Sequence, residues 1–113
     1  MFGMNINEMD VTELHELLNS HENGLPENIV FLDVRTTGEY QRGYIAQSSN
    51  VPLHLIPMKV QDLQEAEKVI IYCQTGARSA QACAYLSQNG VDNAFNVRGG
   101  IVTWAQMGYP ISG

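Results

Sequence analysis

The sequence predicts an α/β fold in which a mainly parallel central sheet of about five strands carries helices on both faces. Two observations predict it. Apolar runs alternate with helical patterns along the chain, and the two clearest runs, Ile29-Val30-Phe31-Leu32 and Val69-Ile70-Ile71-Tyr72, are compact, β-branched and aromatic. A length of 113 residues suits one domain with its own core and is too short for two ordinary ones.

Taken in order, a short strand is expected near Asn5-Ile6, then a helix over Val11–Leu18 with Val11, Leu14, Leu17 and Leu18 on one face. Asp10 or Thr12 is available to cap it. The strand Ile29–Leu32 ends at Asp33, and a helical turn over Thr37–Arg42 is ended by Gly43. A weak strand at Asn50-Val51 and a helix over Lys59–Ala66 precede the strand Val69–Tyr72. The best helix runs from Ser79 to Asn89, with Gly90 as a left-handed cap. A weak strand at Ala94–Val97 and a helix over Ile101–Met107, stopped by Gly108 and Pro110, complete the pattern. No repeat, low-complexity tract or linker interrupts it, so residues 1–113 read as a single domain.

The formal net charge of −6 argues against a general nucleic-acid binder. Residues 1–67 carry −8 and residues 68–113 carry +2, so the half with both cysteines is depleted of negative charge. That pattern follows equally from small polar residues chosen for packing and from an anionic substrate. No apolar run is long enough to span a bilayer, and the N-terminus lacks the basic start and apolar stretch of a secretory signal. Cys73 and Cys83 lie ten positions apart, but a loop entering a helix between them carries the side chains apart. Reduced thiols in a cytoplasmic protein are the expectation.

The chemistry is expected at Tyr72-Cys73-Gln74-Thr75-Gly76-Ala77-Arg78-Ser79, where a buried strand runs into a cysteine, a glycine-containing loop and a helix. In open α/β sheets ligands collect beyond the carboxyl ends of strands, which is where Cys73 falls. Successive N–H groups of such a loop form an anion-binding nest reinforced by the helix dipole. A cysteine at a helix N-terminus beside an arginine has its pKa lowered into roughly the 3.5–7.5 range. No histidine is near in sequence, so the nest and Arg78 must do the activating; His15, His21 and His54 read as surface residues. Arg78 opposes the helix dipole by about 0.3–1 kcal/mol with no acid in its own turn, a conflict that a bound anion would remove. The alternative is an Arg78 that extends into solvent.

The spacing Cys73-x-x-Gly76-x-Arg78 after an apolar strand resembles the active-site loop of the rhodanese family. Leu32-Asp33-Val34-Arg35, Glu39-Tyr40, Gly43-Tyr44-Ile45 and Asn50-Val51-Pro52 resemble its first signature. Val97-Arg98-Gly99-Gly100-Ile101, Trp104 and Gly108-Tyr109-Pro110 resemble its C-terminal one. The ordered set covers roughly residues 29 to 111. The chain departs from the family at Gly43-Tyr44-Ile45-Ala46-Gln47-Ser48, where Gly-His-Ile-Pro-Gly-Ala is common.

The resemblance implies a single-domain sulfurtransferase in which the Cys73 thiolate attacks a sulfane sulfur and keeps it as a persulfide. Cys73 and Arg78 are the implied catalytic residues, and the backbone of Gln74, Thr75, Gly76, Ala77 and Ser79 the implied substrate cradle. The implied partners are a small anionic sulfur donor such as thiosulfate and a thiol, cyanide or protein-cysteine acceptor, with no metal or organic cofactor and no nucleic-acid or membrane partner.

Cysteine phosphatases and arsenate reductases resemble this loop but carry one more residue between Cys and Arg, and a histidine usually precedes their cysteine where Tyr72 stands here. A non-catalytic interaction module usually lacks the cysteine; a sulfur relay to a protein partner stays open. Asp33 and Arg35 read first as a structural ion pair and second as support for the loop, and Glu39 as a partner of Arg35. Cys83, among Ala80, Ala82 and Ala84, reads as core packing rather than as a resolving thiol. Trp104 reads as core, and Gly99-Gly100 as a tight turn serving the fold.

Overall fold

The structure is a computed structural model that describes residues 6–113. Five strands, β1 (Asn7–Met9), β2 (Ile29–Asp33), β3 (Ser49–Asn50), β4 (Lys68–Tyr72) and β5 (Ala94–Val97), form one sheet in the order β1-β5-β4-β2-β3. Every pairing in it is parallel. The helices are α1 (Val11–Ser20), α2 (Thr37–Gln41), α3 (Val60–Gln64), α4 (Ala77–Gln88) and α5 (Gly100–Gln106). The expected α/β architecture, with helices on both faces, is the one found.

Apolar side chains divide between the two faces. On one, Val69, Ile71 and Cys73 of the central strand region meet Leu63 of α3 and Ala82, Cys83 and Leu86 of α4. On the other, Phe31, Ile70, Tyr72 and Val97 meet Leu14 and Leu18 of α1 and Ile101 and Trp104 of α5. Full burial of a side chain such as Leu14 stabilises the fold by about 1.5–3 kcal/mol. Trp104 is core as expected, and its Nε1 donates to the Pro110 carbonyl.

Several boundaries differ from expectation. The first strand is Asn7–Met9; Ile6 precedes it and Asn5 lies outside the described residues. Asp10, not Thr12, caps α1, through a capping box with Glu13. The stretch expected to be helical over Lys59–Ala66 is α only at Val60–Gln64, after a 3₁₀ segment at Leu53–Lys59 that contains Pro57. Pro57 lacks the N–H that a longer α-helix needs. α4 begins at Ala77, two residues before expectation, because Gly76 takes a left-handed conformation (φ 101°) and lets the helix start at once.

β2 continues through α2 to β3 on one side, whereas β4 continues through α4 to β5 on the other. The crevice between the carboxyl ends of β2 and β4 is therefore a topological switch point. Asp33 ends one of these strands and Cys73 follows the other.

Asp33 and Arg35, expected as an ion pair, form one that is buried: Arg35 Nη2 lies 2.8 Å from Asp33 Oδ2. Arg35 also donates to the Gly43 carbonyl at 2.6 Å, tying the end of β2 to the turn after α2. Removing one partner of a buried pair leaves an uncompensated charge and costs about 3–5 kcal/mol. Asp33→Ala is expected to lose that much in urea unfolding; a loss below about 1 kcal/mol would mean that the pair does not brace the switch point.

Candidate active site

Cys73 is 1% exposed, and its sulfur is surrounded by donors rather than by hydrocarbon alone. Sγ accepts from the Gly76 N–H at 3.1 Å, the Ser79 N–H at 3.3 Å and the Ser79 hydroxyl at 3.3 Å. Ser79 is the third residue of α4, and the first N–H groups of a helix have no partner within it. The sulfur occupies the position such groups leave open.

Burial pushes the Cys73 thiol up, but the hydrogen bonds from the Ser79 hydroxyl and from the N–H groups of Ser79 and Gly76 outweigh it. The net direction is below the ordinary cysteine value. Cys83, 2% exposed on α4, has no such donors among the described residues. Burial pushes it up to about 12, with the Glu8 and Cys73 charges adding to the effect. Both cysteines are free, and the packing expected of Cys83 is its environment here.

The direction of the loop amides is set from the opposite side. The Ile101 N–H donates to the Cys73 carbonyl at 3.0 Å and the Val102 N–H to the Gln74 carbonyl at 3.1 Å. With both carbonyls held against the start of α5, the peptide units that follow turn their N–H groups toward the sulfur. The approach has no room for a side chain: a Cβ on Gly100 would lie 2.5 Å from each of those carbonyl oxygens. Gly99-Gly100, expected to serve the fold, thus also shapes the cysteine loop.

Not every expected loop residue faces the sulfur. Among the described hydrogen bonds to Sγ there is none from Gln74, Thr75 or Ala77. Ala77 is the exposed first residue of α4, and Gln74 instead accepts from Arg35 Nη1 at 3.3 Å through its side chain. That contact gives Arg35 a link to the loop besides its pairing with Asp33.

Arg78, expected to face a bound anion or to extend into solvent, is partly exposed and forms a two-pronged ion pair with Glu39 of α2, with Nη1–Oε1 at 2.8 Å and Nη2–Oε2 at 2.9 Å. Glu39 in turn does not pair with Arg35. Arg35 precedes α2, so the helical spacing that suggested the pair does not exist, and Glu39 instead closes a capping box with Thr36. The acid that offsets Arg78 against its helix dipole comes from another helix, which sequence spacing does not reveal. Asn96 was also missed. It is 3% exposed on β5, and its Oδ1 accepts from the Ser79 hydroxyl at 2.5 Å. The available signal was an amide in mid-strand of a sheet covered on both faces, where a polar side chain needs a buried partner.

A cavity of 630 Å³ opens beside the loop, walled by Arg35, Arg42, Gln74, Ile101, Val102 and Ile111 among others. Cys73 does not line it; Gln74, the next residue, does. Of the histidines, His54 is exposed as expected, whereas His21 is half-buried and His15 is half-buried and stacked on Tyr109 with ring centroids 4.0 Å apart. Among the described residues no helix is long and apolar enough to cross a membrane.

The sequence profile of the Rhodanese-like domain family matches residues 10–107. A sulfurtransferase of Allochromatium vinosum is 41% identical over 106 residues, covering 94% of each chain. A tRNA uridine(34) hydroxylase of Pectobacterium carotovorum is 35% identical over 84 residues, which is 69% of this chain but 24% of that protein. The crystal structure of a rhodanese-related protein from Thermoplasma volcanium superposes with a TM-score of 0.77 at 33% identity, covering 94% of this chain and 97% of that one.

Two outcomes follow from this geometry. The Arg78 hydrogen bonds, aided by those of Thr36 and opposed by burial, hold the Glu39 carboxyl at about 2, below its ordinary 4.5. Its contribution to stability is therefore full above about pH 4.5 and disappears as pH falls toward 2. The stability gap between wild type and Glu39→Gln should be constant at neutral pH and close over that interval in denaturant titrations; a gap that persists at pH 2 would remove the ion pair as its cause. Gly100→Ala combines a strained left-handed residue (φ 62°) with a backbone collision. It should cost about 2–5 kcal/mol and lower Tm by roughly 10–20 °C; a calorimetric Tm within 2 °C of wild type, roughly what half a kcal/mol would shift, would contradict the close approach.

Proposed function

The chain belongs to the rhodanese-like domain family, and we propose that it is a sulfurtransferase in which Cys73 carries one sulfur atom as a persulfide. Its likeness over nearly full length to a protein named a sulfurtransferase supports the reaction class. The observation that carries the assignment to Cys73 is the convergence of the Gly76 and Ser79 N–H groups and the Ser79 hydroxyl on one buried sulfur.

With thiosulfate as donor, the Cys73 thiolate attacks the outer sulfur. The sulfur–sulfur bond breaks, and sulfite leaves with its electron pair. Cys73 keeps the outer sulfur as a persulfide anion. Fixed amide dipoles in a water-poor site stabilise charge that shifts by one atom along this pair, without any reorganisation at the moment of reaction. Cyanide or a thiolate then attacks the outer sulfur, and the Cys73 thiolate is regenerated.

Arg78 takes a bracing role in this scheme, holding the start of α4 to α2 through Glu39. At the cavity mouth Arg35 is paired with Asp33, while Arg42 has no ion-pair partner among the described residues, which suits a small anionic donor. A cavity of 630 Å³ is much larger than cyanide needs and favours, as a second reading, an acceptor cysteine presented by a peptide or protein. The hydroxylase named above is about four times as long as the stretch it shares with this chain, so its activity is not carried over.

Incubation with thiosulfate should add the mass of one sulfur to the intact protein. Cyanide should remove it, and Cys73→Ser should never acquire it. Normal thiosulfate turnover by Cys73→Ser would sink the proposal.

A further inference from the structure

The donors around Cys73 are not equivalent. The Gly76 and Ser79 N–H groups are fixed by the backbone, but the Ser79 hydroxyl can turn. Its oxygen lies 3.3 Å from Cys73 Sγ and 2.5 Å from Asn96 Oδ1. A hydroxyl has one proton and two lone pairs, so it donates to one of these neighbours at a time.

The Asn96 amide cannot reverse to relieve this contest. Its Nδ2 lies 3.3 Å from Glu8 Oε2, and a carboxylate only accepts. Reversal would set the amide oxygen against that carboxylate. Glu8 and Asn96 are register partners on β1 and β5, and Arg98 Nε holds the other Glu8 oxygen at 3.2 Å. Ser79 is 0% and Asn96 3% exposed, so water does not stand in for a lost bond. An orphaned amide oxygen would therefore be costly.

We propose that Asn96 is a positioning residue of the sulfur site, which competes with Cys73 for the single Ser79 hydroxyl proton and so limits how strongly that hydroxyl stabilises the charged sulfur. When the hydroxyl donates to Asn96, it faces the sulfur with a lone pair and accepts from the protonated thiol. When it donates to the thiolate, Asn96 Oδ1 is left without a partner. The site thereby holds back one of its available donors.

This restraint has a chemical use, which rests on the reading of Cys73 as the sulfur carrier. A thiolate stabilised too far is a weaker nucleophile, its rate falling with a Brønsted coefficient of about 0.4–0.5 as its basicity falls. Asn96 keeps the sulfur basic enough to attack a donor, while the amides keep enough of it ionised.

The charged and titratable groups around Cys73 are Arg78 and Cys83 on α4, the Asp33–Arg35 pair at the end of β2, which reaches the loop through Gln74, Glu39 on α2 behind Arg78, and Glu8 on β1 behind Asn96. Substituting Asn96 by a neutral residue changes none of these charges.

The test is the pH dependence of iodoacetamide alkylation, in a Cys83→Ala background so that only Cys73 reports. Asn96→Ala should move the inflection to lower pH. A roughly tenfold larger thiolate population, offset by weaker nucleophilicity, makes alkylation about threefold faster on the acid side and about threefold slower on the alkaline plateau. In Ser79→Ala, where the contested proton is absent, adding Asn96→Ala should leave the profile unmoved. Asn96→Leu, close in size and without an acceptor, replaces the alanine variant if that one fails to fold. An inflection that stays or rises in the Asn96 variants overturns the proposal, as does a shift that persists without Ser79. Sulfur uptake from thiosulfate, scored separately by mass, tests the carrier role: a chain that takes up none defeats that role, and the alkylation profile still decides the competition for the proton.

Discussion

The two hydrogen bonds from the start of α5 to the carbonyls of Cys73 and Gln74 are the constraint from which the site follows. A loop after a strand has no intrinsic reason to turn consecutive N–H groups inward, because its carbonyls are equally polar and equally in need of partners. Here the first free N–H groups of α5 satisfy the carbonyls on the outer side, and the inner side is left to the amides. Only glycine at position 100 permits that distance. The nest around Cys73 is thus a tertiary structure, made by β4, α4 and the β5–α5 corner together, rather than a property of the six residues from Cys73 to Arg78.

Charge is handled in the same way, by pairing across elements. Arg35 with Asp33, Arg78 with Glu39 and Arg98 with Glu8 are the ion pairs among the described residues, and each involves an element bordering the loop. The arginines that a motif reading would assign to anion binding are occupied in bracing. The groups that hydrogen-bond to the sulfur are dipolar, main-chain N–H groups and one hydroxyl at the N-terminal end of α4, and Arg78 adds only a longer-range charge. Dipoles at fixed positions suit a charge that moves by a single atom, since they discriminate by distance more sharply than a guanidinium on a long side chain.

Much of this was legible in the sequence, for identifiable reasons. The strands at Ile29–Asp33 and Lys68–Tyr72 are covered on both faces, and the unbroken apolar runs Ile29–Leu32 and Val69–Tyr72 within them say so. Cys73 at the end of the second of them, before a glycine-containing loop and a helix, placed the thiol beside the loop amides, although the helix begins at Ala77 rather than at Ser79. The partner of Arg78 was not legible, because Glu39 lies 39 residues away and meets it only once β2 and β4 are adjacent. Asn96 was hidden for the same reason: its meaning depends on the register that sets it beside Glu8 and beneath Ser79. The role of Gly100 was half legible, as a close backbone approach whose target could not be named.

The depth of the thiol joins these points. At 1% exposure Cys73 is further from solvent than a nucleophile needs to be, and burial by itself opposes ionisation. The same burial strengthens every donor aimed at the sulfur, because no water screens them. Which influence prevails depends on how many donors are fixed before the charge appears. In Cys83, similarly unexposed and with no hydrogen-bond donor among the described residues, burial and the Glu8 and Cys73 charges push the thiol up to about 12; in Cys73 the direction is reversed. The two cysteines share one layer of the core, and the donors of the loop are present at one and not described at the other. Placement of amide groups, rather than exposure or a neighbouring histidine, separates the thiol that is pushed down from the one that is pushed up.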